Sequence, residues 1–314
     1  MSKNQVCELL KIRYPIIQGA MTNVTDVGLV SAVSNAGGLG IYAPGIENID
    51  LEYVRKQIRL IRAATPNSFG VNIMLASAFA AQLVDLVCEE KVPVVTTGAG
   101  NPAPYMAQFK QAGITVVPVV PSKEAAVKMQ AIGVEMVIAE GMESGGYIGR
   151  ISTMTLIPQV VDAVKIPVIA AGGIADGRGM AAVFMLGAQG IQMGTRFLTT
   201  KECAIPEHCK AALLNAQSKD AVVLGERIGV AARLRVLRTP ITEEIQAYES
   251  QKDASDAVFN KSVADARGNP YEGGLDKVLL GTGQIVALVN DTDSVKTVIE
   301  RISMQFNAIQ EVPI

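Results

Sequence analysis

What most constrains the fold of this 314-residue chain is a rhythm of eight short apolar, β-rich runs. They lie at 15–19, 39–42, 69–75, 93–98, 115–120, 136–141, 167–173 and 190–197. Between them lie segments at 27–36, 52–64, 78–90, 103–112, 123–132, 156–164 and 179–186, most with helical apolar spacing. Runs such as VPVVTTG, TVVPVV and PVIAAGG are nearly continuous in apolar residues, as strands covered on both faces must be, and parallel strands need helical crossovers. Eight such β/α units close most simply into a TIM, or (β/α)8, barrel. A doubly wound open sheet is the runner-up, because spacing alone does not show closure.

After residue 198 the strand rhythm stops, and polar helical segments at 241–252 and 253–265 take over. The expected architecture is therefore α/β: a barrel core over 1–198, a small helical cap or insertion over 199–280, and a C-terminal segment, 281–314. Its periodic stretch 284–309 is expected to return as a helix closing the outer ring.

Composition supports a large closed core and excludes disorder, with 49% hydrophobic residues and only 18% charged, against roughly 25% charged in an average domain. Thirty acidic residues face 28 basic ones, a net charge of −2, so no global basic field exists to hold nucleic acid or an anionic membrane. The N-terminus has no apolar signal-like stretch, and no run reaches the roughly 18 apolar residues of a membrane span, so the expected location is cytoplasmic. Cys7, Cys88, Cys203 and Cys209 are scattered, with no CxxC pair. Cys203, Cys209 and His208 form only a loose group, and the expectation is reduced thiols and no metal.

In a barrel the active site lies at the C-terminal ends of the strands. The seventh run continues as AAGGIADGRGM (170–180), where Gly172 and Gly173 let main-chain N–H groups approach an anion, and Asp176 can cap the next helix. The eighth, QMGTRF (192–197), adds Gly194, Thr195 and the cation of Arg196. Loops after strands seven and eight are the usual phosphate site of barrels, so together they favour a phosphate-bearing ligand; tight packing is the bland alternative. The third end, FGVNIML, sets Asn72 in an apolar run, offering an amide to a heterocycle or satisfying backbone groups. The sixth, AEGMESGGYIGR (139–150), combines Glu140, Glu143, Gly145, Gly146 and Tyr147 in what reads as a loop over a ligand. Its two carboxylates also allow glycosidase chemistry, but aromatic residues make up only 4% of the chain, too few for sugar platforms. The first end offers Gly19 and Met21.

In this order the segments YPIIQGAM, VSNAGGLGI, FGVNIML, VVTTGAGNP, VIAEGMESGG, IPVIAAGGIADGRG, QMGTRF and AARLRVLRTP resemble the flavin-dependent enoyl-acyl-carrier-protein reductase II family and its relatives, the nitronate monooxygenases, over nearly the whole chain. The resemblance implies FMN. Its phosphate is expected on Gly172, Gly173, Gly194 and Thr195, and its ring near Gly19, Met21, Asn72, Glu140 and Gly145, with Gln192 and Met193 in the flavin-contacting QxGT motif. Glu140 leans toward the reductases, because the monooxygenases more often carry Gln there. Both subfamilies normally have His where Tyr147 stands. A phenol donates a proton at neutral pH but is a poor base, which disfavours deprotonation of a nitroalkane more than reduction of an enoyl thioester.

The expected activity is thus reduction of trans-2-enoyl thioesters by NADH or NADPH through FMN, as in fatty acid biosynthesis. The partners would be acyl-carrier protein or acyl-CoA, the catalytic residue Tyr147, and the assembly a homodimer. Rival readings are a nitronate monooxygenase using O2 and a flavin-binding barrel that lost catalysis with the His. Arg227, Arg233, Arg235 and Arg238 lie in a stretch without acidic residues, which suits an acidic carrier protein, a nicotinamide phosphate, or packing of Arg stems on the barrel.

Overall fold

Each of the eight apolar runs forms a strand, and all eight are parallel. The computed structural model describes residues 4–228, 233–266 and 274–311; Ala231 and Ala232 of AARLRVLRTP lie outside the described residues. In chain order the strands are β1 (Ile16–Gln18), β2 (Gly40–Tyr42), β3 (Phe69–Met74), β4 (Val94–Gly98), β5 (Thr115–Val120), β6 (Val137–Glu140), β7 (Gly146–Ile148), β8 (Val168–Ala171) and β9 (Gly190–Met193). All but β7 form one sheet in the order β1-β9-β8-β6-β5-β4-β3-β2. Its two ends meet through a parallel bridge between Ile17 and Leu39. There Gln18 N–H donates to the Leu39 carbonyl at 2.9 Å and Leu39 N–H to the Ile16 carbonyl at 3.0 Å. Closure removes the open edges a flat sheet would expose, and it excludes the doubly wound alternative.

Side-chain alternation sorts the strand residues into two cores. Ile17, Leu39, Ile41, Val94, Val117, Ile138 and Ile169 fill the barrel interior, joined by Val6 and Leu10 of an N-terminal helix, Gln5–Leu10, that plugs it. Their neighbours Ile16, Val71, Ile73, Val95, Val116, Val137 and Val168 face the surrounding helices. Each such side chain contributes roughly 1.5–3 kcal/mol by leaving water. Asp26, Asp50, Ser122 and Asp176 cap four of the outer helices by accepting backbone N–H bonds. Among the described residues no helix is long and apolar enough to cross a membrane.

The C-terminal segment does return to the ring. Helix Val295–Gln310 packs between the helices Gly177–Met185 and Val27–Asn35, with Phe306 edge-on to Phe184 at 4.8 Å between centroids. The helix is shorter than the periodicity at 284–309 implied. Gln284–Leu288 is a 3-10 turn, and the helix starts only after Ser294. Between them Asp291 and Asp293 are engaged in ion pairs with Arg196 and Arg301.

The expected cap helices occupy Pro240–Glu249 and Asp256–Asp265. The same segment also supplies strands absent from the helical reading: β10 (Ala221–Leu224) and β11 (Arg233–Leu237). They join β7 in an antiparallel sheet, order β10-β11-β7, whose Val222, Leu224, Leu234 and Val236 pack on Ile245, Phe259 and Val263 of the two helices. RLRVL carries two charges in five residues, yet all five are buried. The arginines are accommodated because their guanidinium groups reach main-chain carbonyls brought in by other elements.

Candidate active site

The C-terminal ends of the strands open into a cavity of about 780 Å3. After β8 the chain turns through Gly172 (φ +86°) and Gly173 (φ +72°), both left-handed, and a Cβ on Gly172 would stand 2.7 Å from the Gly141 carbonyl oxygen. Only glycine meets both demands, and such turns can leave N–H groups pointing into a concavity. After β9, Gly194 leads into a single helical turn, Thr195–Leu198. A Cβ on Gly194 would meet the Met21 sulfur at 3.6 Å, so the ends of β1 and β9 border the same space. Gly19 lies against the Gln192 side chain and donates its N–H to the Met193 carbonyl at 2.9 Å.

Asn72, on β3, donates its amide to Thr96 Oγ1 at 3.0 Å, which orients it across the mouth of β4. Glu140 ends β6, and burial pushes its carboxyl up to about 7. Glu143, three residues on, accepts the Thr153 backbone N–H and hydroxyl at 2.9 Å, so it caps helix Thr153–Ala163 from outside.

The loop after β6 is held by two distant parts of the chain. The stretch 281–284 straps it down: a Cβ on Gly145 would lie 2.7 Å from the Thr282 nitrogen, Gln284 N–H donates to the Glu143 carbonyl at 2.9 Å, and Gly283 N–H donates to Thr195 Oγ1 at 2.9 Å. From the cap, buried Arg235 donates Nη2 to the Met142 carbonyl at 3.0 Å and Nη1 to the Ala221 carbonyl at 3.2 Å. Burial lowers the pKa of its guanidinium. Between these anchors the loop becomes β7, with Tyr147 opposite Leu234 and 37% exposed.

The twelve residues singled out from sequence, Gly19, Met21, Asn72, Glu140, Gly145, Tyr147, Gly172, Gly173, Gln192, Met193, Gly194 and Thr195, all line this one cavity. Arg196 does not. Its guanidinium is turned to Asp291, within an ion network completed by Arg301 and Asp293, so it is no cation for a ligand in the cavity. His208 and Cys209, on helix Glu207–Asn215, and Cys203 are likewise not among the lining residues. Sequence reading missed Thr96, the strap at Gly281 and Gly283, and the cap wall of Leu234, Val236 and Leu280. The threonine in VVTTGAGNP was visible as a strand-end hydroxyl; the strap and cap carry no local signal, because only long-range packing brings them here.

The chain matches the nitronate monooxygenase family over residues 3–83 and 76–305. It is 37% identical over 261 residues to the Mycobacterium tuberculosis (3aS,4S,5R,7aS)-5-hydroxy-7a-methyl-1-oxo-octahydro-1H-indene-4-carboxyl-CoA dehydrogenase, covering 82% of this chain and 72% of the relative. A probable nitronate monooxygenase of Staphylococcus aureus is 31% identical, with 99% of each chain covered. The structure of FabK from Thermotoga maritima superimposes with a TM-score of 0.92 at 40% identity, covering 99% of this chain and 98% of that one. This chain belongs to the nitronate monooxygenase family of flavin-dependent oxidoreductases.

Proposed function

We propose that this chain binds FMN and reduces trans-2-enoyl thioesters of acyl-carrier protein or coenzyme A with NAD(P)H. The residues present fit the cofactor. The left-handed Gly172–Gly173 turn and Gly194 form a cradle that β-carbons would fill, and 780 Å3 falls within the usual range of ligand sites. The observation that carries the thioester reading is the make-up of the cavity. Its glycine floor faces an apolar wall of Ile148, Leu234, Val236, Leu280 and Ile285, suited to an acyl chain, and the chain's single imidazole, His208, is not among its lining residues. A relative named as a carboxyl-CoA dehydrogenase supports the thioester class.

FMN, when bound, would supply the two-electron redox chemistry between NAD(P)H and the enoyl group. Main-chain amides at Gly172, Gly173 and Gly194 would hold the phosphate. Thr195 Oγ1 already accepts from Gly283, so its own proton is free to be donated to a phosphate oxygen. Asn72, its NH2 given to Thr96, offers its carbonyl oxygen to a ring N–H. Gly19, Met21, Gly145, Gln192 and Met193, which line the cavity, would border the ring. Burial lifts the Glu140 carboxyl to about 7, so it can hold a proton at neutral pH. Tyr147 gives its phenolic proton to the α-carbon and regains one from solvent, to which it is partly open.

Oxidation of a nitronate by O2 is the second reading, favoured by the match to the family and by the S. aureus relative. A preformed nitronate needs no base, so Tyr147 does not exclude it. The deciding experiment compares anaerobic NAD(P)H oxidation with crotonyl-CoA against O2 uptake with an alkyl nitronate. Turnover of the thioester is expected, falling about 100-fold in Tyr147→Phe at unchanged flavin content. Turnover of the nitronate alone would overturn the assignment.

A further inference from the structure

Two guanidinium groups stand at the rim of the cavity on elements the hydride chemistry does not use. Arg150, between β7 and helix Thr153–Ala163, is exposed, lines the cavity, and has no hydrogen-bond or ion-pair partner among the described residues. Arg233, at the start of β11, also lines the cavity but is only 7% exposed. Its Nη2 donates at 2.6 Å to the carbonyl of Gly149, which sets the Arg233 guanidinium beside the main chain next to Arg150, on the same cavity. The opposing charge there is slight. Glu226 lies 3.4 Å from Arg233 Nη1 with its side chain 63% exposed to water. Of the carboxylates lining the cavity, Glu143 is committed to Thr153 and Glu140 terminates β6.

We propose that Arg150 and Arg233 form an anion subsite for the phosphate or pyrophosphate of a reactant whose reactive end reaches into the cavity. Guanidinium is suited to this: its planar fork of donors matches phosphate oxygens and stays charged at every physiological pH. The buried cation of Arg233 is stabilised by such a ligand more than by the exposed Glu226, which water screens. Which reactant brings the phosphate rests on the thioester-reductase reading, in which two carry one: the pantetheine arm of the thioester and the nicotinamide dinucleotide.

The test titrates inorganic pyrophosphate into the FMN-loaded protein by calorimetry. The wild type is expected to bind it, Arg150→Gln about tenfold more weakly, and Arg150→Lys in between. No binding by the wild type, or equal binding by Arg150→Gln, would overturn the subsite. Because the Arg150 side chain has no partner among the described residues, its variants test the site without disturbing the Gly149 anchor that Arg233 supplies. Steady-state kinetics then identify the source. In Arg150→Gln, a KM raised for crotonyl-CoA but not for phosphate-free crotonyl-N-acetylcysteamine assigns the subsite to the thioester, and a KM raised for NAD(P)H assigns it to the dinucleotide. If thioesters are reduced and neither KM moves, the subsite is lost. If no thioester is reduced at all, the functional reading fails by itself, and the pyrophosphate titration still decides the subsite.

Discussion

The two walls of the cavity are built on opposite plans. On the β8–β9 side the wall is main chain: Gly172, Gly173 and Gly194 present backbone where side chains would intrude, and each turn is made within a few residues of its own strand end. On the cap side the wall is made of side chains such as Leu234, Val236 and Leu280, held in place by bonds between residues far apart in the chain: Arg235 reaches 93 positions back to the Met142 carbonyl, and Gly283 N–H bonds Thr195 across 88. The first plan gives a rigid surface of fixed chemistry, suited to a cofactor that does not change. The second gives a surface whose shape can change with a few substitutions, as a varying acyl group or second reactant requires. A family that keeps one cofactor and changes substrates would be expected to place its constraints in this way.

Three measurements would break or sharpen that contrast. The largest effect is expected on the main-chain wall, where Gly172→Ala must adopt a left-handed conformation and place its Cβ 2.7 Å from the Gly141 oxygen. FMN affinity, followed by flavin fluorescence during titration of the apoprotein, should fall about 100-fold; an affinity within threefold of wild type would show that this turn does not shape the phosphate site. On the cap wall, Arg235→Met leaves the Met142 and Ala221 carbonyls without their donor, and urea unfolding should report a loss of about 2 kcal/mol. FMN affinity should change little, because the glycine turns are untouched. The smallest effect belongs to Glu140, whose carboxyl burial raises to about 7. An acid with its folded pKa above the unfolded value favours the protonated folded state. The contribution of Glu140 to stability should therefore be greatest below about pH 4.5 and decline as pH rises through about 7, by about 1 kcal/mol because the residue lines an open cavity. Glu140→Gln should remove that decline, and a wild-type urea midpoint that runs parallel to the variant from pH 5 to 8 would show that Glu140 is not desolvated.

Much of the barrel was legible because its signals are local. An apolar run such as TVVPVV becomes a buried parallel strand wherever helices flank it, and AAGGIADGRG contains both its turn and, in Asp176, the cap of the following helix. Arg196 misled for an instructive reason: beside Gly194 and Thr195 in sequence it looked like a phosphate ligand, but Asp291, 95 residues away, holds it instead. In RLRVL the packing of arginine stems was among the readings open in sequence, but that the segment is a strand was not, since its burial depends on carbonyls from elsewhere receiving the guanidinium groups.

By itself the sequence determined the eight-fold alternation, the main-chain cradle and the identity of the residues at each strand end, because periodicity and glycine conformation act over a few residues. Tertiary structure alone decided which carbonyls the arginines meet, that β7 leaves the barrel to pair with β11, and that the strap at 281–284 clasps the Tyr147 loop. Those outcomes depend on groups separated by tens of residues, and the free energy of pairing buried polar atoms is settled only when packing brings both partners together.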